Sequence, residues 1–338
     1  MKIAIIGTGH MGRRHIEAVR RLGFDLVGIC DASRESLRLA GREQNVPAGL
    51  HFMEAPKMLE STRPDCVIVA TTAPSHCAYT CLAAEAGVRL ILVEKPMAVS
   101  LAECDQMIEA CARHGAKLAV NHPTRFMPRS TEPKRLVSMP EFGGLTSVTV
   151  VAGNVGMAMN GTHFVEMFRF ITGEDPVEVT AWFSSEKVPN PRGVQYEDRA
   201  GSFRVTTASG KRLYVEIGAD QGHGLQVVYA GKYGRLTVDD LAGTMSLVVR
   251  EAQYRDLPTT RYGMPAVTSE FRIPSVDAVS AAGSVLYALS SEANFPSGED
   301  GRIAIEILVA AYQSAENGNT QIRISDAQLP RNRVFPWA

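Results

Sequence analysis

The sequence lacks any long apolar run. Nowhere in its 338 residues does a stretch approach the roughly 20 consecutive apolar residues that a membrane-spanning helix requires. The first residues lead directly into a strand-like apolar segment and do not resemble a signal peptide. We therefore expect a cytoplasmic protein that has no membrane partner.

An excess of charge of either sign is also missing. The 35 lysine and arginine residues oppose 36 aspartate and glutamate residues, which leaves a formal net charge of -1. Nucleic-acid-binding surfaces are basic, so this balance gives no reason to expect nucleic acid as a partner. With 45% hydrophobic and 21% charged residues, the chain has the composition of an ordinary globular protein and is long enough for two domains.

Paired metal-binding cysteines are absent as well. All six cysteines lie in the first third of the chain and none forms a CxxC pair, so we interpret them as free thiols that serve as small core residues. His76, Cys77 and Cys81 can share one helix face, but no second ligand pair accompanies them. We therefore predict that the protein has no metal site.

A nucleotide-binding signature stands at the start of the chain. The apolar run at 3–6 is typical of a parallel strand buried on both faces, and GTGHMG at 7–12 follows it. The first glycine permits a tight turn, the second lets a pyrophosphate approach the backbone, and the third allows close packing of helix and strand. The N-terminus of the next helix would direct unpaired N–H groups and a positive dipole end at the phosphates.

The acidic residue that completes this signature is Asp31. It follows a second predicted strand, Leu26 to Cys30, and lies 24 residues after Gly7, where a carboxylate binds the ribose hydroxyls of a dinucleotide. An ionised Asp31 would repel a 2′-phosphate, so we predict NAD as the cofactor. Arg34 is a residue that can accept that phosphate, which leaves NADP open, and a plain turn role is the alternative for Asp31.

The order of predicted elements changes near residue 121. Before it, strands and helices alternate with short connections, the pattern of a doubly wound parallel sheet. After it, long strands follow one another, which is typical of an open, mainly antiparallel sheet with one free face. We predict an α/β protein with a Rossmann domain at 1–121 and a substrate-binding and oligomerisation α+β domain at 122–338. Late helices near 276–291 and 298–317 would pack back on the first domain, and the free sheet face predicts a homodimer or homotetramer.

Two polar segments follow buried strands at the sheet edge where ligands bind. TTAPSH at 71–76 follows one strand, and Glu94-Lys95-Pro96 follows the next. Pro96 restricts Lys95 to an extended backbone or a cis turn, which suits a catalytic lysine, although a solvated lysine is the alternative.

Six segments, taken together, resemble the glucose-fructose oxidoreductase and inositol dehydrogenase family, Gfo/Idh/MocA. They are GTGHMG (7–12), TTAPSH (71–76), VEKP (93–96), NHPTRF (121–126), NGTHFVEMFRFITG (160–173) and PSGEDGRIAIEILVAAYQSA (296–315). The resemblance covers nearly the whole chain, and EKP is its most specific element. It implies a Rossmann domain, a C-terminal domain whose open sheet packs against another subunit, and oxidation or reduction of one carbinol of a sugar, cyclitol or sugar derivative.

The resemblance implies that Lys95 and His163 are the catalytic pair. A carbinol that loses a hydride must also lose its hydroxyl proton, and a neutral imidazole can accept it near neutral pH. A lysine ammonium stabilises the negative charge on the same oxygen. Without the resemblance, a cap or surface role is the alternative for His163, which starts a predicted helix at 160–170.

The remaining site residues are also predicted by position. Asn121, Arg125 and Asn160 are expected to contact the substrate, with a surface or interdomain role as the alternative for His122 and Arg125. The residues expected to contact the cofactor are Gly7, Thr8, Gly9, His10, Met11, Gly12, Asp31, Arg34, Thr71, Thr72, Pro74, His76, Glu94 and Lys95.

One position departs from the family pattern. Many relatives carry an aspartate four residues before the histidine, and this chain has Met159 there. Asn160 can hydrogen-bond a substrate but cannot act as a carboxylate, so the proton relay and the substrate subgroup stay open. The leading prediction is an NAD-dependent dehydrogenase or reductase acting on a polyhydroxylated small molecule. The alternatives are a cofactor-retaining oxidoreductase, a glycosidase that uses transient oxidation, and a non-catalytic dinucleotide-binding regulator.

Overall fold

Two β-sheets organise the computed structural model, which describes residues 1–188, 190–258, 264–325 and 328–338, with the backbone alone for 186–188. The strands of the first sheet are β1 (Lys2–Ile6), β2 (Asp25–Cys30), β3 (His51–Phe52), β4 (Cys66–Val69), β5 (Leu90–Val93) and β6 (Lys117–Val120). All are parallel, in the order β3-β2-β1-β4-β5-β6. The order reverses between β1 and β4, the point at which such sheets bind ligands.

Helices alternate with these strands as the sequence predicts, although the two-residue strand β3 is not predicted. They are α1 (His10–Arg21), α2 (Arg34–Glu43), α3 (Ala55–Thr62), α4 (His76–Glu85) and α5 (Leu101–Arg113). Serine side chains start two of them: Ser33 Oγ accepts the backbone N–H of Ser36, and Ser100 Oγ accepts that of Glu103, both at 3.2 Å. Strands β1 and β4 are buried along almost their whole length, which explains their continuous apolar runs.

The second sheet is mainly antiparallel. Its strands are β7 (Leu145–Ala152), β8 (Pro176–Val188), β9 (Asp198–Thr207), β10 (Arg212–Ile217), β11 (Leu225–Gly231), β12 (Gly234–Asp239), β13 (Thr244–Arg250), β14 (Ala266–Arg272) and β15 (Ile322–Arg323). Their order is β14-β13-β12-β11-β7-β10-β9-β8-β15, and only β7 and β10 pair in parallel among the described strands. The predicted fold class is confirmed. The sequence does not predict β14, which is mostly exposed at the sheet edge, or β15, which has two residues.

Four further helices pack between and around the sheets in the described part of the chain. They are α6 (Pro128–Val137), α7 (Thr162–Thr172), α8 (Ala278–Ser290) and α9 (Gly298–Glu316). Helix α8 contacts α1, while α9 contacts α5 and α7 as well as β8, so the late helices touch elements of both sheets. The domain boundary at residue 121 stays a prediction. Within the described ranges, no helix combines the length and apolarity that a membrane span requires.

Helix α7 begins later than the sequence predicts. Residues 157–161 form a wider π-helical turn, and the α-helix starts only at Thr162. The carboxylate of Asp198 on β9 accepts the backbone N–H groups of Ala158 and Met159 at 2.7 and 2.9 Å. A partner distant in sequence therefore holds this turn, and local periodicity carries no sign of it.

Candidate functional site

The glycine turn after β1 has the shape that the motif predicts. Gly7 has a φ of +95°, and a Cβ there would lie 2.6 Å from the carbonyl carbon of Ala70. A Cβ on Gly12 would lie 2.0 Å from the carbonyl oxygen of Gly7. A Cβ on Gly9 would meet nothing within 4 Å, so this backbone borders open space. That open space is the cradle that a pyrophosphate requires.

A cleft of about 750 Å³ lies at the carboxyl ends of the first sheet's strands. The predicted cofactor residues that line it are Gly7, Gly9, His10, Met11, Asp31, Thr71, Thr72 and Glu94. The sequence does not predict several other residues on its wall, which include Arg14, Tyr79, Met159, Pro191 and Arg192. Arg14 lies one helical turn after His10, so its place at the cleft can be predicted from the sequence. For residues 191–192, no local sequence pattern predicts that they lie near this cleft.

Asp31 lines this cleft and braces the glycine turn. Its carboxylate accepts the backbone N–H and the hydroxyl of Thr8 at 2.8 and 2.9 Å, and the backbone N–H of Ser33 at 2.8 Å. A structural role of Asp31 in the turn is therefore compatible with a role in binding ribose. The exposed Arg34 and Pro74 are not part of the cleft wall, so the structure does not support direct cofactor contacts from them.

His76 is buried and has a structural position. Its Nδ1 lies 3.0 Å from the carbonyl oxygen of Pro96, and its Nε2 lies 3.1 Å from that of Thr71. Burial lowers its pKa. Because the ring connects the 71–76 loop to the EKP turn and does not line the cleft, we correct its predicted role from cofactor contact to support of the loop.

Glu94 forms a buried anionic centre beneath the cleft. Its Oε1 accepts a hydrogen bond from Asn121 Nδ2 at 2.7 Å and lies 2.8 Å from His15 Nε2. Burial opposes ionisation, but these contacts and the nearby charge of Lys95 lower the pKa of Glu94 to about 2. Asn121 is 2% exposed and its amide nitrogen donates to Glu94, so the structure favours a supporting role over the predicted substrate contact.

Lys95 reaches from the first sheet to the turn before α7. Its Nζ donates a hydrogen bond to the carbonyl oxygen of Met159 at 2.6 Å. Burial is the main cause that lowers the pKa of Lys95 to about 8; the charge of Arg192 acts in the same direction, while Glu94 and Asp198 oppose the shift. The lysine is therefore mainly an ammonium at neutral pH but lies close to its titration range.

His163 lies in the first turn of α7, directly after the π-helical turn 157–161 that Lys95 contacts. Its Nδ1 is 3.4 Å from Nδ1 of His122, and the two rings are nearly perpendicular at 87°. Burial lowers the pKa of His163 well below its ordinary value, and the charge of Lys95 lowers it further. The structure thus brings Lys95 and His163 to one short turn, with the imidazole neutral.

His163 faces a second cavity, of about 610 Å³. The polar and charged side chains on its wall are Thr124, Arg129, Ser130, Asn154, Asn160, His163, His223 and Asp240. Arg129 pairs with Asp240 at 3.0 Å, and Asn160 Nδ2 donates to the carbonyl oxygen of Val155 at 2.6 Å. Of this wall the sequence predicts only Asn160 and His163, because the rest comes largely from turns and strand ends of the second sheet.

Arg125 is not at either cavity. Its Nε donates to Glu166 at 2.6 Å, its Nη1 to Asn294 at 3.2 Å and its Nη2 to Asp300 at 3.0 Å. The guanidinium is 7% exposed and engaged on all three nitrogens. The structure therefore contradicts a substrate contact and supports the alternative, a buried ion pair between the segment after β6 and helices α7 and α9.

The cysteines are all buried and free of disulfides. Burial raises their pKa values, for example to about 12 for Cys66 and Cys111, so they are poor nucleophiles. Within the described residues, no group of three or more histidine, cysteine or acidic side chains has an arrangement suited to a metal ion.

Comparisons with known proteins place the first part of the chain in a family. Residues 1–122 match the family model GFO_IDH_MocA, described as an oxidoreductase family with an NAD-binding Rossmann fold. A D-apiose dehydrogenase from Paraburkholderia graminis is 34% identical over 190 residues, which are 51% of this chain and 50% of that protein. This chain therefore aligns with only half the length of that relative. Inositol 2-dehydrogenase 3 from Saccharopolyspora erythraea is 24% identical over 94% of both chains.

Solved structures share the fold across nearly the whole chain. An oxidoreductase from Agrobacterium radiobacter, in complex with NAD+, L-tartaric acid and magnesium, has a TM-score of 0.78 at 20% identity and covers 96% of this chain and 98% of its own. An aldose-aldose oxidoreductase from Caulobacter crescentus has a TM-score of 0.74 at 22% identity, with 96% and 99% covered. Residues 1–122 thus match the Gfo/Idh/MocA oxidoreductases and form an NAD-binding Rossmann domain, and the chain as a whole shares the fold of the solved oxidoreductases.

Glycine 9 provides a direct test of the cofactor cradle. Gly9→Ala should leave folding unchanged, because a Cβ there meets nothing within 4 Å, but should weaken NAD binding by roughly tenfold or more, about 1.4 kcal/mol. The measurements are the Kd from a fluorescence titration and the midpoint of thermal unfolding. The matched control is Gly7→Ala, which should lower the unfolding midpoint because its Cβ would collide with backbone. NAD affinity unchanged in Gly9→Ala would rule out this placement.

Proposed function

We propose that this protein is an NAD-dependent dehydrogenase or reductase that transfers a hydride between nicotinamide and a carbinol of a sugar, cyclitol or related polyhydroxylated molecule. The observation that carries the proposal is the meeting of Lys95 and His163 at the turn 157–163. Met159 in this turn lines the cofactor cleft, and His163 lines the second cavity. The names of relatives, D-apiose dehydrogenase and inositol 2-dehydrogenase, support the substrate class.

In the proposed reaction, one side chain accepts a proton and another stabilises negative charge. His163 is neutral, so it can accept the hydroxyl proton of the carbinol, and the Lys95 ammonium can hold the same oxygen as negative charge develops. The dinucleotide, when bound in the cleft, supplies the hydride acceptor. Exclusion of water by the buried surroundings of Lys95 strengthens its electrostatic effect.

The second cavity suits a ligand with several hydroxyl groups. Arg129, Asp240, Asn154 and His223 place donors and acceptors on one wall, while Leu225 and Val227 belong to its apolar part. Such a combination orients a polyhydroxylated ring through hydrogen bonds and buries its C–H faces. Asn160 remains a proposed substrate contact, because it lines this cavity beside His163.

NAD is the proposed cofactor in preference to NADP. Asp31 lines the cleft at the end of β2, and its Oδ2 already accepts two hydrogen bonds from Thr8. A carboxylate at this position would repel a 2′-phosphate. Arg34, the residue that favours NADP, is exposed and does not line the cleft. The predicted cytoplasmic location stays a prediction.

Replacing the lysine tests the reaction. Lys95→Met should abolish turnover of sugars and cyclitols and leave the Kd for NAD within a few-fold, because the ammonium acts on the reacting oxygen. Turnover is followed as NADH absorbance and binding by calorimetry. Lys57→Met is the control, since the Lys57 side chain is 69% exposed and should be silent. Full activity of Lys95→Met would refute the assignment.

The pH dependence tests the charge on Lys95. Activity that needs the ammonium should fall as the pH rises through about 8, the pKa of Lys95. The negative charge of Glu94 raises that pKa, so Glu94→Gln should move the fall in kcat/KM to lower pH. Glu60→Gln, at an exposed position, should leave the profile unchanged. A basic limb that stays in place or moves upward in Glu94→Gln contradicts the role.

We also propose a homo-oligomer built through the open face of the second sheet. Trp182 and Tyr214 point to this face and are 51% and 37% exposed, which is unusual for large aromatic side chains on one sheet surface. Light scattering after gel filtration should give a mass at least twice that of one chain. Trp182→Arg should shift the protein toward the monomer, and a wild-type monomer would overturn the proposal.

A further inference from the structure

His122 is a buried imidazole that the proposed reaction has not used. It follows β6, is 1% exposed, and does not line the cofactor cleft or the second cavity. Its Nδ1 lies 3.4 Å from Nδ1 of His163. Hydrogen bonds of this kind are often long in the absence of ligands and shorten when the substrate binds.

The contact between the two imidazoles is held by a neighbouring ion pair. Arg125 lies three residues after His122, and Glu166 lies three residues after His163. Arg125 Nε donates to Glu166 Oε1 at 2.6 Å, and both side chains are buried. The segment after β6 and the helix α7 are thus joined twice, so the position of the His122 ring against His163 is fixed by packing and charge.

Both imidazoles are neutral at physiological pH. Burial, followed by the charges of Lys95 and Arg125, lowers the pKa of His122 to about 3. The ionisable groups that act on the pair from the surrounding elements are Glu94, Lys95, Arg125, Arg129 and Asp300. In a hydrogen bond between the Nδ1 atoms of two neutral rings, one Nδ1 carries the hydrogen and donates it, and the other accepts.

The direction of this bond decides whether His163 can act as a base. If His163 Nδ1 carries the hydrogen, its Nε2 keeps a lone pair; if His122 donates, the hydrogen of His163 lies on Nε2 and the ring cannot accept a proton there. No described protein group bonds Nε2 of His163. We propose that His122 is a positioning residue that accepts the Nδ1–H of His163 and so keeps the Nε2 lone pair available to the substrate. This inference rests on the proposed function.

Two substitutions separate the hydrogen bond from mere packing. His122→Phe keeps a ring but removes the acceptor, and kcat should fall about 10- to 100-fold, the effect expected when the partner that orients a functional imidazole is removed. KM should change much less, since His122 does not line the substrate cavity. His122→Asn places an amide oxygen near the position of Nδ1 and should restore most of kcat. His114→Asn, at an exposed position, is the matched control and should be silent.

A measurement that needs no substrate reads the tautomer directly. In protein labelled with 15N-histidine, the nitrogen shifts of His163 should show the Nδ1–H tautomer in the wild type and in His122→Asn. In His122→Phe they should show a mixture or the Nε2–H form. This readout does not depend on turnover, so a protein that oxidises no polyol would refute the proposed function while leaving the tautomer result interpretable.

Loss of kcat together with a changed tautomer in His122→Phe, both recovered in His122→Asn, supports the inference. An unchanged tautomer in His122→Phe overturns it, whether or not activity falls, because the loss would then come from packing alone. If His122→Phe does not fold, the Nε2–H tautomer of His163 in the wild type overturns it and the Nδ1–H tautomer supports it.

Discussion

The hydrogen bond from Lys95 Nζ to the carbonyl oxygen of Met159, at 2.6 Å, is the contact on which the site depends. It joins the turn after β5 to the turn before α7, and so brings the ligand-binding edge of the first sheet to the cavity beside the second. A hydrogen bond from a charged group contributes roughly 1.5–3 kcal/mol, but burial of an ammonium opposes it. Two carboxylates, Glu94 and Asp198, help to keep the charge on Lys95.

The buried surroundings change the pKa values of both proposed catalytic groups. Burial lowers the pKa of both Lys95 and His163, but their ordinary values differ so widely that one remains mainly protonated and the other becomes neutral. A cation and a neutral imidazole next to one another can stabilise an oxyanion and accept a proton in a single step. Asp198 contributes twice, because it also accepts the backbone N–H groups that shape the turn at Ala158 and Met159.

Sequence patterns predict the fold and the two central side chains of the candidate site, but not the residues on the cavity walls. Local periodicity and turn chemistry predict the glycine turn, the Rossmann order of elements and most strands of the second sheet. The EKP segment and His163 mark the candidate site between the two cavities. The sequence predicts ligand contacts for Asn121, Arg125 and His76, yet in the structure these side chains make internal contacts. Most of their partners are distant in sequence, namely Glu94, Glu166 and the carbonyl of Pro96, whereas Thr71 lies only five residues before His76. The supporting role of Asp198 was undetectable for the same reason.

The central claim is that an amine from one sheet and an imidazole beside the other act on one oxygen. A crystal structure of the protein with NADH and a bound polyhydroxylated alcohol, a pair that cannot react, tests it most directly. The account predicts the carbinol oxygen within hydrogen-bonding distance of both Lys95 Nζ and His163 Nε2, with its carbon facing the nicotinamide. An alcohol bound with no hydroxyl between these two nitrogens would contradict it.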